Sequence, residues 1–180
     1  MKKLIQLFTQ GNRILSLLII LMLLITGSLF SQGTRLLRQP SISSEKIVFT
    51  YGGDIWVCKL DGKDLKRLTS TPAVESDPHF SPDGKQIAFT SNRSGINSVY
   101  VMPVEGGDPV RLTWYPAPAT SLGWTPDGKN ILYSSNRETA PSAYEHLWIV
   151  SKEGGYSTLL SKQWGTDGSF SPDGKKIVAD

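Results

Sequence analysis

The stretch FSPDGKQIAF, running from Phe80 to Phe89, recurs as WTPDGKNILY from Trp124 and as FSPDGKKIVA from Phe170. The copies start 44 and then 46 residues apart, and a weaker copy with a shortened turn, ISSEKIVF, starts at Ile42. In the three strong copies, Pro holds the second position of a type I turn, with Ser or Thr before it and Gly two residues after it. An apolar run rich in strand-forming residues follows each turn. The stretch therefore predicts a tight turn that leads into a β-strand.

Two further segments recur in the same phase. The first is DIWVCKLDG from Asp54, SVYVMPVEGG from Ser98 and HLWIVSKEGG from His146. The second is KRLTS from Lys66, VRLTW from Val110 and a degenerate copy, STLLS, from Ser157. Each unit then holds four short antiparallel strands, and no helical period occurs after residue 35. Such units are typical of blades, so we predict an all-β fold, a β-propeller of four-stranded antiparallel blades. The alternative is a β-sandwich, which does not repeat one motif three times.

The repeat period also predicts the domain organisation. We expect a partial β-propeller over residues 36–180, with blades at approximately 36–71, 72–115 and 116–161 and an incomplete blade at 162–180. This is about three and a third blades, and propellers have roughly four to eight. We therefore expect the sequence to belong to a longer gene product. The isolated chain should be inactive and should self-associate, because apolar blade faces and a strand edge would be exposed.

Residues 1–31 have the pattern of a secretory signal peptide. Lys2, Lys3 and Arg13 form a basic region, and an apolar run from Leu15 to Ile25, broken only by Ser16, precedes small residues. This pattern predicts an exported protein, periplasmic or extracellular. An uncleaved membrane anchor is the alternative, although the apolar run is short for a span of about 20 residues.

Charge excludes some partners. Without the predicted signal peptide the chain has sixteen basic and sixteen acidic residues. A neutral domain gives no reason to expect nucleic acid or an anionic membrane as a partner. We expect membrane contact only transiently, during export.

Few residues are candidates for chemistry. Cys58, the one cysteine, lies in a strand-like run and is interpreted as a buried small hydrophobe that forms no intrachain disulfide. Of the two histidines, His79 should lie on an innermost strand near the channel, and His146 should open a strand. No motif of fixed spacing pairs either of them with a nucleophile. We predict no catalytic, cofactor-binding or metal-binding residue in this chain and no cofactor.

Two repeated residue types have functional alternatives. Three aspartates recur one unit apart, and their turn position indicates that they cap backbone N–H groups rather than share a metal ion. They are Asp83, Asp127 and Asp173. Three aromatic residues hold equivalent places in the third strands and are interpreted as core between blades, with a ligand platform as the alternative. They are Trp56, Tyr100 and Trp148.

The repeat resembles the TolB-type propeller repeats, whose mark is the FSPDGK turn and strand. Over Leu36–Asp180 it is most similar to the N-terminal propeller of tricorn-type serine peptidases. The specific features are the entry LLRQP from Leu36, the segment VESDPHF from Val74, the variant GWTPDG from Gly123, and GSF from Gly168. The FSPDGK motif alone is less specific, because prolyl-oligopeptidase-type propellers share it.

The resemblance implies a function for a longer protein. Tricorn-type peptidases carry two propellers, a PDZ-like domain and a catalytic domain with a Ser-His dyad, and their propellers are thought to filter oligopeptide substrates. Peptides are then the expected partners of the complete protein. A homo-oligomer of that protein is a further alternative. One alternative is a periplasmic TolB-type propeller that binds envelope proteins, although TolB-like proteins place an α/β domain before the propeller. The other is the propeller of a prolyl-oligopeptidase-type hydrolase.

Overall fold

The computed structural model describes residues 36–139 and 144–180, with the side chains of Lys162 and Gln163 left out. The predicted signal peptide, residues 1–31, lies outside the described residues. Leu36–Asp180 forms one compact unit. The described residues of this unit contain β-strands and no helix.

The strands form four sheets, in each of which consecutive strands pair antiparallel. The first sheet comprises β1 (Arg38–Ile42), β2 (Lys46–Tyr51), β3 (Asp54–Lys59) and β4 (Lys66–Arg67). The second comprises β5 (Glu75–Phe80), β6 (Gln86–Ser91), β7 (Ser98–Pro103) and β8 (Val110–Arg111). The third comprises β9 (Ala119–Trp124), β10 (Asn130–Ser135), β11 (His146–Ser151) and β12 (Thr158–Trp164). The fourth comprises β13 (Gly168–Phe170) and β14 (Ile177–Ala179).

The predicted fold class, an all-β propeller of four-stranded antiparallel blades, is confirmed. The outermost strand of the third sheet differs from expectation. Its repeat copy begins at Thr158 and not at Ser157, because Leu159 pairs with Trp148 as Arg67 pairs with Trp56. This strand is also seven residues long and bulged, whereas β4 and β8 have two residues each.

The recurring turn is closed by its own side chains. The hydroxyl of Ser81 donates to Asp83 Oδ1 at 2.6 Å and accepts from the Gln86 N–H at 2.9 Å. Asp83 Oδ1 also accepts from the Lys85 N–H at 3.1 Å. The same bonds recur at residues 125–130 and 171–176. The predicted capping role of the three turn aspartates is thus what the structure shows.

Successive turns also touch one another. Gly128 has a φ of 66°, in the left-handed region that favours glycine, and a Cβ there would lie 3.5 Å from a ring carbon of Pro82. Gly174 lies in the same way against Pro126. The turns of the third and fourth sheets therefore pack on the proline of the turn before them, whereas Gly84 in the second sheet meets Ser43.

The short outer strands β4 and β8 are held by the recurring Arg-Leu-Thr segment. In the second sheet, the Arg111 guanidinium donates to the Thr113 carbonyl at 2.7 Å and to the Ser98 hydroxyl at 3.0 Å. Thr113 Oγ1 accepts from the Val99 N–H at 2.9 Å. Arg67 and its neighbours repeat this arrangement in the first sheet, where the Asp54 carboxylate accepts from the guanidinium in place of a serine hydroxyl. Side-chain bonds therefore supplement the short backbone ladder at the outer edge.

Two hydrophobic clusters fill the spaces between sheets. One joins the first and second sheets and includes Val48, Ile55, Phe89 and Tyr100. The other joins the second and third sheets, and Trp124 and Trp148 are its largest members. The second sheet is therefore apolar on both faces, which explains why β7 is buried along nearly all its length.

The interpretation of the three aromatic residues as core between blades is confirmed for Tyr100 and Trp148, each 4% exposed. Trp56 is only half-buried, so for this residue the interpretation stays a prediction. The physical reason for its exposure is that Trp56 lies on the face of the first sheet that is turned away from the second sheet. Cys58 is free and buried, as predicted.

The two ends of the sheets differ in composition. The turn end carries the connections that include 60–65, 81–85, 104–109, 125–129, 152–157 and 171–176. The loop end carries those at 52–53, 68–74, 92–97, 112–118, 136–145 and 165–167, of which 140–143 are not described. Six lysines lie in the turn-end connections named here and none in the loop-end ones.

Candidate functional site

The innermost strands of the first three sheets share an irregularity. Each of β1, β5 and β9 has a β-bulge two or three residues before its end. In the first two strands the bulge is an Xaa-Pro pair, Gln39-Pro40 and Asp77-Pro78. Bulges redirect side chains and are common beside functional sites. This wall of innermost strands is therefore where a binding site is sought.

Gln39 and Asp77 hold the bulges of β1 and β5 together. Both have a φ of 52°, which is strained for a residue other than glycine, and both precede proline. The Gln39 side-chain amide donates to Asp77 Oδ1, and the Asp77 N–H donates back to Gln39 Oε1 at 3.2 Å. Asp77 Oδ2 also accepts from the Ser76 hydroxyl at 2.7 Å. Non-glycine residues in such conformations persist only when their surroundings hold them.

His79 lies two residues further along β5, as expected for an innermost strand. Its own carbonyl accepts from Trp124 Nε1 at 3.0 Å, and its ring bonds to the backbone of Ser121. Burial lowers the pKa of His79 below its usual value, although Asp77, the Ser121 bond and Asp167 act in the opposite direction. The imidazole is therefore neutral at pH 7 and can act as a hydrogen-bond acceptor.

A cleft of about 430 Å³ opens beside His79, where the four innermost strands approach one another. Its apolar lining includes Phe80, Trp124 and Phe170, the residues that begin the three strong repeats. The polar lining comprises His79 and hydroxyl groups, and no lysine, arginine, aspartate or glutamate takes part. A cleft of this size and character suits an uncharged side chain with a few oriented polar groups.

The other residues singled out from the sequence do not join this cleft. His146 opens β11 at the loop end, as predicted. The turn aspartates lie in separate turns, and hydroxyl hydrogen bonds lower the pKa values of Asp83, Asp127 and Asp173. The residues that the structure describes contain no group of three or more metal-ligand side chains. Nor does any helix in residues 36–139 and 144–180 have the length and apolarity needed to cross a membrane.

Exposed aromatic residues mark the loop end as a second surface. Trp114 is 72% exposed and stacks under the Arg111 guanidinium at 4.6 Å. Tyr115 lies 4.4 Å from the guanidinium of Arg137. Trp164 is 64% exposed and stacks on Tyr144, with ring centroids 3.9 Å apart. Protein–protein interfaces are enriched in Trp, Tyr and Arg and depleted in Lys, and the loop end has this composition.

Sequence reasoning missed two features of these surfaces. Ser-Asn-Arg occurs at residues 91–93 and again at 135–137, and each arginine stacks on the aromatic residues of its own sheet. Arg93 also bonds Glu75, which is fully buried, at 2.9 Å. The repeat of 44 residues was the available signal for this motif. Asp77 and Gln39 were marked only by the proline that follows each.

Residues 34–180 match the family described as the tricorn protease N-terminal beta propeller domain. Tricorn protease homolog 1 of Streptomyces coelicolor is 39% identical over 65 residues, which is 36% of this chain and 6% of that protein. Tol-Pal system protein TolB of Bordetella pertussis is 44% identical over 39 residues, which is 22% of this chain and 9% of that protein. The matched segments thus span only a small part of the length of these curated relatives.

Solved structures show the same fold. The crystal structure of the tricorn protease has a TM-score of 0.66 and 25% identity, covering 76% of this chain and 14% of that one. Putative TolB from Agrobacterium tumefaciens has a TM-score of 0.68 and 24% identity, covering 78% of this chain and 52% of that one. At 24% identity the second likeness concerns the fold alone.

Proposed function

This chain belongs to the family of tricorn protease N-terminal β-propeller domains, and from that premise we propose that it is the N-terminal propeller of an exported serine peptidase that acts on oligopeptides. The role of the propeller is to guide or filter substrate. The peptidase chemistry belongs to segments outside residues 36–180. The observation that carries the proposal is the cleft beside His79, an uncharged opening on the wall of innermost strands of a tricorn-type propeller.

The chemistry of the cleft supports guiding rather than cleavage. The ring of His79 bonds to a backbone carbonyl group, and its charge state is neutral at pH 7. Aromatic edges and hydroxyl groups bind an extended peptide without reacting with it.

Export is part of the proposal. The basic and apolar pattern of residues 1–31 is what supports it, together with the similarity to TolB, which resembles this chain in both sequence and fold. Fractionation of cells that produce the full chain tests this point. Recovery of the whole protein in the cytoplasm would contradict it.

Narrowing the cleft tests the guiding role. Ser169 lines the cleft on β13 and is exposed, so Ser169→Trp adds a bulky ring there. Ser44→Trp is the matched control, because Ser44 is exposed in the turn between β1 and β2. In the complete gene product, we expect Ser169→Trp to lower kcat/KM for a fluorogenic octapeptide at least about fivefold and to spare a dipeptide substrate. Equal effects of both variants, or hydrolysis insensitive to a serine-directed fluorophosphonate, would refute the proposal.

A second candidate function is supported by the loop end. A TolB-type propeller would bind an envelope protein, and the exposed pair Trp114 and Trp164 has the composition of such an interface. Photo-crosslinking residues placed at these two positions test it in living cells. Tyr156, fully exposed at the turn end, is the control position. Crosslinks to one protein from both tryptophan positions and none from Tyr156 would favour this function, and the absence of crosslinks from all three would rule it out.

A further inference from the structure

We propose that the cleft beside His79 binds the amino-terminal end of an oligopeptide. An apolar first side chain occupies the cleft, and the α-ammonium group lies against Asp77 and Asp167. This inference rests on the guiding role proposed above and adds a preference for one end of the substrate.

The shape and lining of the cleft select the side chain. A volume of about 430 Å³ accommodates one large side chain with part of its backbone. Phe80, Trp124 and Phe170 offer apolar surface, whereas a charged side chain would be desolvated there with no opposite charge in the lining. The segment inside the cleft is therefore apolar.

The charges beside the cleft select the end of the peptide. Asp77 lies on β5 two residues before His79, and Asp167 directly precedes β13, so both carboxylates belong to the innermost strands that line the cleft or adjoin one of them. Their negative charges raise the pKa of His79 against the effect of burial. In the four innermost strands the one cation is Arg38 on β1, and Glu75 is consumed by its bond to Arg93. With Asp167 counted beside β13, the two carboxylates of Asp77 and Asp167 face the single positive charge of Arg38, so the net charge here is negative. A net negative charge attracts an ammonium group and repels a terminal carboxylate.

The neutral ring of His79 fits the same orientation. One ring nitrogen is used by the backbone of Ser121. In a neutral imidazole the other nitrogen is an acceptor, which suits a peptide N–H. Because Trp124 fixes the backbone of His79 through a 3.0 Å bond, this acceptor is held in place.

The probe is the tripeptide Phe-Ala-Ala amide, with a free or an acetylated amino terminus, titrated into the full chain by calorimetry at pH 7. We expect acetylation to weaken binding at least about tenfold. Asp77→Asn and Asp167→Asn should each weaken binding of the free amine about threefold or more. Asp108→Asn, an exposed turn-end aspartate, should leave binding unchanged. Asn tolerates the backbone conformation of Asp77, so these variants should keep their fold, which circular dichroism checks.

The outcomes separate this inference from the proposed function. Equal affinity for the free and the acetylated peptide overturns the inference. Unchanged binding of the free amine by both Asp77→Asn and Asp167→Asn does so as well. If neither form binds while Ser169→Trp still slows octapeptide hydrolysis, the inference fails and the guiding role stands. If peptide hydrolysis is absent as well, both fail.

Discussion

Replacing Trp148 by Ala should destabilise the protein far more than replacing Trp56, although the two residues hold equivalent positions in their sheets. Trp148 is 4% exposed between the second and third sheets, whereas Trp56 is half-buried on the face of the first sheet that is turned away from the second sheet. The indole of Trp148 also lies 4.4 Å from the Arg137 guanidinium. A buried tryptophan removes roughly 200 Å² from water, worth about 5 kcal/mol at about 25 cal/mol per Å².

Trp148→Ala should lower the free energy of unfolding by less than this amount, because the alanine side chain still buries part of the apolar area. Large-to-small changes of this kind cost about 3–5 kcal/mol. No hydrogen bond is lost, since Trp148 Nε1 has no partner among the described residues. Trp56→Ala removes an edge-to-face contact with the Tyr51 ring and an exposed hydrogen bond to the Tyr51 carbonyl. The free energy of unfolding should fall by about 1–2 kcal/mol.

Urea unfolding followed by circular dichroism measures the difference. With a slope of about 2 kcal/mol per M, Trp148→Ala should lower the midpoint by about 2 M and Trp56→Ala by less than about 1 M. Trp148→Phe, which keeps most of the apolar area, should fall between the wild type and the alanine variant. Equal shifts for the two alanine variants would refute the difference in burial between Trp148 and Trp56 from which this prediction is derived.

Three further predictions concern the repeated turns and clasps. The turn hydrogen bonds of Asp127 lower its pKa, so this carboxylate stabilises the fold above the unfolded carboxyl pKa of about 4, and the contribution is lost as pH falls through the lower folded pKa. Asp127→Asn should therefore flatten the acid side of a plot of urea midpoint against pH. An unchanged plot would contradict this. Thr113→Val leaves the buried Val99 N–H without an acceptor and should cost about 1–3 kcal/mol, whereas Thr113→Ser should cost less, and equal costs would argue against the hydroxyl bond. Gly128→Ala places a side chain at a φ of 66° and should cost about 1–2 kcal/mol through backbone strain, since its nearest contact, Pro82 at 3.5 Å, is an ordinary one; an undiminished thermal midpoint would show that the turn relaxes.

The sequence was most informative where a repeat coincided with local chemistry. The hydrogen bonds of the Ser-Pro-Asp-Gly turn all lie within six residues, from Ser81 to Gln86. The turn and the two strands that flank it could therefore be predicted from one copy. Three copies then indicated blades. The weak third outer strand was misplaced by one residue, because Leu159 replaces the arginine that marks this position in the other two sheets.

Positions that depend on distant contacts could not be predicted. The repeat makes Trp56 equivalent to Trp148, but burial depends on which sheet covers each face, and a single unit does not contain that information. The bond between Gln39 and Asp77 joins residues 38 positions apart in two sheets, and both residues have a positive φ. Sequence reasoning placed His79 on the channel side, but the carboxylates beside it became evident only from the packing of four innermost strands.

The contact between successive turns bears on how such a protein grows during evolution. Each of the three strong repeats carries both residue types of this contact: a glycine on the side of the preceding unit and a proline on the side of the following one. Duplication of one whole unit therefore copies both partners together. An inserted unit meets its two new neighbours through surfaces they already possess, and no compensating mutation is needed at these junctions. Blade number can thus change in a single genetic event, while loss of a proline affects the adjoining unit as well as its own.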